Sequence, residues 1–559
     1  KNNRDGTFSD FSVEWDFAEP GISQGMALAD LDNDGDMDVI MNNLLEEAGI
    51  YENLATGLRV RIELRGLNGN RFGIGSKVAL KQGGSIQQQE IISGGRYLSS
   101  GQAIRSFGVQ TGGFELTVTW PSGRVSQLSS SKANHAYIIS EPNKPGLVNR
   151  AKPHPTPLFK DVSGVLGHSH FDEPFLDFRR QLLIPNKYSQ PGPGLCWHDI
   201  NRDGWDDLII SSGAGRRLAM FRNGKDGTFK SITSPILKPT NWDQTMLLPF
   251  TPIGGGPALI AGVSNYESGS IELPSIMSFD FAGRKATRFR TGETSSVGPM
   301  CQIDLDRDGD LDLFVGGRIV PGQYPSPANS VLLENQDGKF VVAHEWLNLG
   351  MVQGAVFSDL TGDNRPELIL SLHWDSLRVF SWAKGSWKAR EITAEIGLGP
   401  YRGWWNGVAT GDFNNDGRMD IAASNWGLNW RYKPTSSNPI RVYYGDLDGD
   451  GAVDAIESIR RNGKWQPARR LGILRAAIPL VGERVSSFDQ MGRSSVEQVF
   501  GGLLESASIL EAVEFRSMIF LNLIDGMKPI QMPPEAQWAP GFGLVVEDFD
   551  GDRNQDLFV

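Results

Sequence analysis

The chain has 559 residues, 39% of them apolar, with 66 acids against 54 Lys and Arg and a net charge of −12. That length exceeds what one core usually serves, so several domains or a repeat array is expected. No run of about 18 apolar residues marks a membrane-spanning helix, and no basic stripe or binding motif supports a nucleic-acid partner.

The first residues, Lys1-Asn2-Asn3-Arg4-Asp5-Gly6-Thr7-Phe8, read as the outer half of a repeat rather than a signal peptide, so an export signal is expected outside them. Next comes Asp30-Leu31-Asp32-Asn33-Asp34-Gly35-Asp36-Met37-Asp38, the pattern Asp-x-Asp-x-Asp-Gly-x-x-Asp, followed by the apolar strand Val39-Ile40-Met41. Carboxylates at alternate positions of a tight loop can converge on one point, and Gly at the sixth place permits the positive φ that turns the chain. Crowded acids repel unless a hard cation sits among them, and an all-oxygen set favours Ca²⁺ over zinc or copper.

Residues 58–140 break this rhythm with alternating strands and Gly-rich turns: Leu58–Leu64, Lys77–Leu80, Glu90–Ile92 and Leu116–Trp120. A Pro-rich linker is expected over 141–157. Past it lie His168, His170 and Asp172, whose alternation admits a transition-metal site but lacks a third nitrogen ligand; a hydrogen-bonded strand or loop is the plainer reading.

Further copies of the acidic loop begin at Asp199, Asp304, Asp359, Asp412, Asp446 and Asp548. The gaps from 304 to 359 and 359 to 412 are 55 and 53 residues, the length of four short strands, or one propeller blade. Asp-Gly turns before an aromatic residue recur, as in Asn223–Phe229 and Asn335–Phe340. The 105 residues from 199 to 304 have room for a blade without a metal loop, with Ala258–Val263 as its inner strand, and Gly254-Gly255-Gly256 reads as a turn. The 34 residues from 412 to 446 are too few for a blade and imply an elaborated one, and a helical insertion is expected at about 466–505. Inner strands near 39, 209, 260, 314, 369, 422 and 557 make seven blades, the last completed by both termini.

The seven loops hold 28 of the 66 acids, leaving 38 against 54 basic residues, so the negative charge is concentrated in candidate metal sites. Cys196 and Cys301 each lie three residues before a loop, where other copies carry Ala27, Val356, Ala409 and Val545; both are expected in buried strands rather than a disulfide.

These loops resemble the FG-GAP/VCBS repeats of integrin-type β-propellers. Residues 58–140 resemble an ASPIC/UnbV domain through Gly73–Val78, Ser93–Ser99, Phe107-Gly108-Val109 and Val118–Gly123. The combination is similar to bacterial proteins related to cartilage acidic protein. The resemblance implies an all-β chain: a seven-bladed propeller over 1–57 and 158–559, an inserted small β-domain, five to seven Ca²⁺ ions, and an extracellular, cell-surface or periplasmic location. It implies ligands at loop positions one, three, five and nine, with the position-seven carbonyl. These are Asp30, Asp32, Asp34 and Asp38 with Asp36; Asp199, Asn201, Asp203 and Asp207 with Trp205; and Asp304, Asp306, Asp308 and Asp312 with Asp310. They continue with Asp359, Thr361, Asp363 and Glu367; Asp412, Asn414, Asp416 and Asp420 with Arg418; Asp446, Asp448, Asp450 and Asp454; and Asp548, Asp550, Asp552 and Asp556. Asn364 and Arg553 replace the sixth-place Gly, and Arg553 is expected to strain its turn and compete with the metal.

Flanking the 412 loop and its inner strand, Arg402, Trp404 and Trp405 with Asn425, Trp426, Asn429, Trp430 and Arg431 could form a sugar-stacking pocket or packing between blades. No Gly-x-Ser-x-Gly, His-Glu-x-x-His or P-loop occurs, so catalysis is the weaker expectation. The chain is read as a calcium-binding adhesion module for carbohydrate or protein. The alternatives are a calcium-dependent polysaccharide lyase using Arg402, Arg431 or Tyr432, or a scaffold in a surface complex.

Overall fold

The computed structural model describes residues 1–559 except 4–5, 19–22, 44–46, 68, 97–98, 144–150, 154–159, 253–254, 293 and 462. Gly254, Tyr97-Leu98 and most of the Pro-rich linker therefore lie outside the described residues. The chain is mostly β, built from multiple four-stranded sheets.

In seven places a leading strand runs into a short loop and pairs antiparallel with the apolar strand leaving it. The leading strands are Ser23–Ala29, Leu195–His198, Gln244–Phe250, Ser296–Ile303, the second half of Lys339–Ser358, Val408–Gly411 and Val545–Glu547. Each touches the next, and the last touches the first, so their contacts run in a closed circuit. The sequence reading put the innermost strand after each loop; the strand before it is the one that meets its neighbours. Both are apolar because both are covered on two faces, which hides the order. Small side chains, Ala27, Cys196, Cys301 and Ala409, occupy the leading strands where they crowd together, and both thiols are free and buried. Farther out burial fades: Asp312–Ile319 is buried throughout, whereas Lys285–Phe289 is almost wholly exposed.

The last sheet has only Val545–Glu547 and Asp556–Phe558 as named strands, and the N-terminus joins it. Asn2 bridges Phe8, and its backbone N–H donates to Asp556 at 3.1 Å. Between Asp420–Ala423 and its partner Met518–Leu523 the chain inserts another sheet, ordered Lys464–Pro467, Asp454–Arg461, Ile440–Gly445, Ser508–Ala512. Short helices follow at Leu471–Ala477, Val481–Arg484, Phe488–Arg493 and Val496–Phe500, the last begun by a Ser495/Gln498 capping box. The 446 loop belongs to this insertion, which explains the short spacing.

Residues 59–140 form two sheets around Phe107, Trp120 and Tyr137. From them Ile92–Arg96 and Ser99–Gln102 reach into the circuit. Ser93 bridges Gln302 and Ser99 bridges Leu195, while the Gln102 N–H donates to Leu28 O at 2.8 Å. Gly94 and Gly95 both have positive φ, and a Cβ on Gly94 would sit 2.5 Å from Met300 O, too close for any other residue. Gly95 lies against Val356, and Ile92, Gly95 and Arg96 line a small gap with Ala409, Thr410 and Val546. One Gly-Gly-Arg segment thus meets strands from most of the circuit and fills its middle.

Candidate metal loops and the cavity beside them

All seven acidic loops adopt one backbone form. Position six is left-handed in each: Gly35, Gly204, Gly309, Asn364, Gly417, Gly451 and Arg553, with φ from 64° to 105°. Position four is left-handed too, as Asn33, Arg202, Arg307, Gly362, Asn415, Gly449 and Gly551. The two loops without Gly at position six carry Gly at position four, so neither has two side chains in the disfavoured region. Arg553 keeps the loop geometry, its N–H donating to Asp548 at 2.8 Å as Gly417 does to Asp412 at 2.9 Å. Its guanidinium reaches toward Ser85 at 3.5 Å. The expected competition from Arg553 is therefore corrected: the cation at this loop is Lys1, paired with Asp550 and 3.7 Å from Asp552.

The position-nine carboxylate is held from two sides. One oxygen accepts the position-two N–H, from Leu31, Leu305, Leu360 or Phe413, at 2.8 to 3.0 Å. The other, in five loops, accepts the backbone N–H of an Asn one strand away: Asn53, Asn223, Asn335, Asn522 and Asn2. Each such Asn side chain donates to the position-eight carbonyl of the same loop. Three donate also to the position-two carbonyl of the neighbouring loop: Asn522 to Leu360, Asn2 to Phe413 and Asn53 to Phe549. The Asn at the head of the recurring Asp-Gly turns was visible as repetition, but its bonds across sheets were not.

Carboxylate oxygens converge within 4.8 Å in Asp30/Asp32/Asp34, Asp304/Asp306/Asp308, Asp446/Asp448/Asp450 and Asp548/Asp550/Asp556, and these groups could hold metal ions. The loops at 199, 359 and 412 put Asn201, Thr361 or Asn414 at position three and show no such acid trio among the described residues. The buried oxygens Asp304 Oδ1, Asp454 Oδ2 and Asp556 Oδ2 have no hydrogen-bond partner, which fits a cation as their missing neighbour. Burial first, and neighbouring carboxylates next, push Asp304 to about 7, and burial pushes Asp312 to about 8. Several acids meet protein cations from the 59–140 domain: Arg59 pairs with Asp36, Arg61 lies 2.8 Å from Asp30, and Lys77 pairs with Asp359.

A cavity of about 630 Å³ opens between the 30 and 199 loops and the strand Arg59–Arg65, lined among others by Asp30, Arg61, Arg71, Trp197, Arg202 and Asp206. Nothing in the sequence marks it, because its walls come from at least five separate stretches between Ala29 and Pro257. The Trp-rich candidate is corrected. Trp404 and Trp405 are 1% and 0% exposed and Trp426 is 6% exposed, so none offers a ring face to a sugar. Trp404 packs on Trp374, Trp426 and Phe515, and Asn425 is buried, donating to Glu514 O. Arg402, Asn429 and Arg431 are exposed and Trp430 is half-buried. Arg431 and Tyr432 are both tied to Glu457. His168 and His170 are half-buried, and among the described residues neither joins a metal-ligating group.

Comparison with known proteins identifies an ASPIC and UnbV domain at residues 66–146 and FG-GAP-like repeats at 304–370 and 359–423. The chain therefore contains an ASPIC/UnbV domain and FG-GAP-like repeats. No curated protein matches it. Among solved structures it is similar to rhamnogalacturonan lyase YesW, at 10% identity over 80% of this chain and 74% of that one, with a TM-score of 0.29. It is similar also to an Agrocybe aegerita lectin recognising non-reducing terminal N-acetylglucosamine, at 13% identity over 77% and 93%, with a TM-score of 0.27. The third is BBS1N in complex with ARL6DN, at 11% identity over 56% and 84%, with a TM-score of 0.23. Scores this low establish neither a shared architecture nor a shared activity.

Proposed function

We propose that the chain is a calcium-binding, seven-bladed β-propeller that acts outside the cell as a binding module for a carbohydrate or protein ligand. The observation that supports it is the common loop form: seven loops share two left-handed positions, and in four of them three carboxylate oxygens converge within 4.8 Å, an arrangement that favours a hard cation. The calcium ions stiffen strand connections, and the ligand is taken elsewhere. With Trp404, Trp405 and Trp426 buried, the 630 Å³ cavity is the better candidate: its size suits a small ligand, and Arg71 and Arg202 offer donors beside the half-buried ring of Trp205.

Melting the protein with calcium and with chelator tests the metal reading, since binding to the folded loops raises stability by linkage. An unchanged Tm sinks it. Screening a glycan array with the wild type and with Arg71→Ala and Arg202→Ala tests the cavity. Loss of a captured glycan in both folded variants is expected, and undiminished capture by both would exclude the cavity.

A further inference from the structure

The structure assigns a second kind of cation site, away from the repeat loops, to Asp172, Asp243 and Glu267. They come from three distant segments: Asp172 lies in the stretch that leads into the circuit, Asp243 precedes the strand Gln244–Phe250, and Glu267 follows Ala258–Val263. One oxygen of each lies within 4.8 Å of the others. This is the sheet that lacks an acidic loop, and the trio sits at the opposite end of its strands from the loop position, residues 251–257.

Asp243 carries the argument. It is 1% exposed; its Oδ1 accepts the Ala214 N–H at 2.8 Å, and its Oδ2 has no partner. The buried Oε1 of Glu267 also has none, while Asp172 Oδ1 shares the Ala214 N–H at 3.2 Å. Among the described residues no ion pair reaches any of the three. Arg180 donates through Nη2 to Glu267 O at 2.8 Å and lies over the rings of Phe175 and Tyr266, while its Nη1 has no hydrogen-bond partner and its charge favours ionised Glu267 without forming an ion pair. Unpartnered buried carboxylate oxygens facing one another require a cation or shared protons. Burial, with Asp172 and Glu267 next, pushes Asp243 to about 8, the strain that a cation would remove.

The surroundings suit a metal. Gly213 has no side chain because a Cβ there would lie 2.6 Å from Asp172 Cγ, so its absence lets the leading segment close on the strand edge. A cavity of about 440 Å³ borders Ala214, Thr240 and Glu267 and leaves room for the waters that complete a calcium shell. The ligand is a hard divalent cation, calcium, and it pins the segment after the linker to the circuit.

Crystals of the whole chain grown with calcium and soaked with terbium test this by anomalous scattering. A peak is expected roughly 2.3–2.6 Å from oxygens of all three acids, lost in Asp243→Asn and in Glu267→Gln while peaks at the repeat loops stay. The half-exposed Glu267 keeps the test open if Asp243→Asn does not fold. In solution each variant should bind one ion fewer per chain. A metal-free trio in wild-type crystals whose loops are loaded would overturn the assignment. Metal at the trio with none at the loops would sink the loop reading and leave this one standing.

Discussion

Replacing Asn53 by alanine removes one side chain that joins the first loop to the last, and so probes how the circuit is closed. Asn53 is 3% exposed. Its Nδ2 donates to Met37 O at 3.3 Å and Phe549 O at 3.2 Å, and its Oδ1 accepts the Ala55 N–H at 3.1 Å. Alanine keeps the backbone N–H that serves Asp38, so only the side-chain bonds are lost. Three lost bonds at net contributions of about 0.5–1.5 kcal/mol each give a loss of roughly 1.5–4.5 kcal/mol. At about 2.1 cal/mol/K per residue, unfolding a chain of this length as one unit carries roughly 1.2 kcal/mol/K of entropy, so Tm should fall by about 1–4 °C. Asn53→Asp should fall further, because it loses both donors and sets a carboxylate against two carbonyls. Differential scanning calorimetry measures the shift, with the exposed Asn429→Ala as control, and hydrogen exchange should rise in Val545–Glu547 and Ser23–Ala29 before it rises in the insertion helices. Equal melting of Asn53→Ala and Asn429→Ala would refute the role given to the side chain.

In calcium-free protein, stability should decline as pH rises from about 4 to about 8, because Asp312 at about 8 and Asp420 and Asp454 at about 7 hold protons that the unfolded chain has already released near its ordinary carboxylate pKa. Melting in chelator at pH 5 and pH 8 checks this, and a higher Tm at pH 8 contradicts it. Arg553→Gly should relieve about 1 kcal/mol of left-handed strain and raise stability slightly, since the φ of 76° is retained without a Cβ; a lowered Tm would show the Arg553 side chain to be needed. Trp404→Ala should cost roughly 3–5 kcal/mol through an empty volume among Trp374, Trp426 and Phe515, whereas the exposed Arg431→Ala should change stability far less. Urea titration distinguishes them, and a well-folded, stable Trp404→Ala would return that ring to consideration as a ligand surface.

Much of the loop was legible because its chemistry is written in consecutive residues: carboxylates at alternate places and a turn that demands a positive φ. Even there the pattern hid half its rule. Position four is as left-handed as position six, and only the pairing of Gly362 with Asn364 and of Gly551 with Arg553 shows why a bulky residue is tolerated in one place at a time. The aromatic run at 404–405 and 426–430 left pocket and packing undivided for a related reason. Composition supplies ring faces but not what covers them, and the covering residues Trp374 and Phe515 lie about 30 and 110 residues away in the chain. The cavity, the Asp172/Asp243/Glu267 trio and the Asn bonds between loops share that property. Each is assembled from segments that meet only in the folded chain, so each requires the fold before it can be seen. This division also separates the two proposed kinds of cation site: the repeat loops carry their candidate ligands locally and would organise around a cation early, whereas the trio exists only once the segment after the linker has docked. Metal at the trio would therefore stabilise the docked state itself.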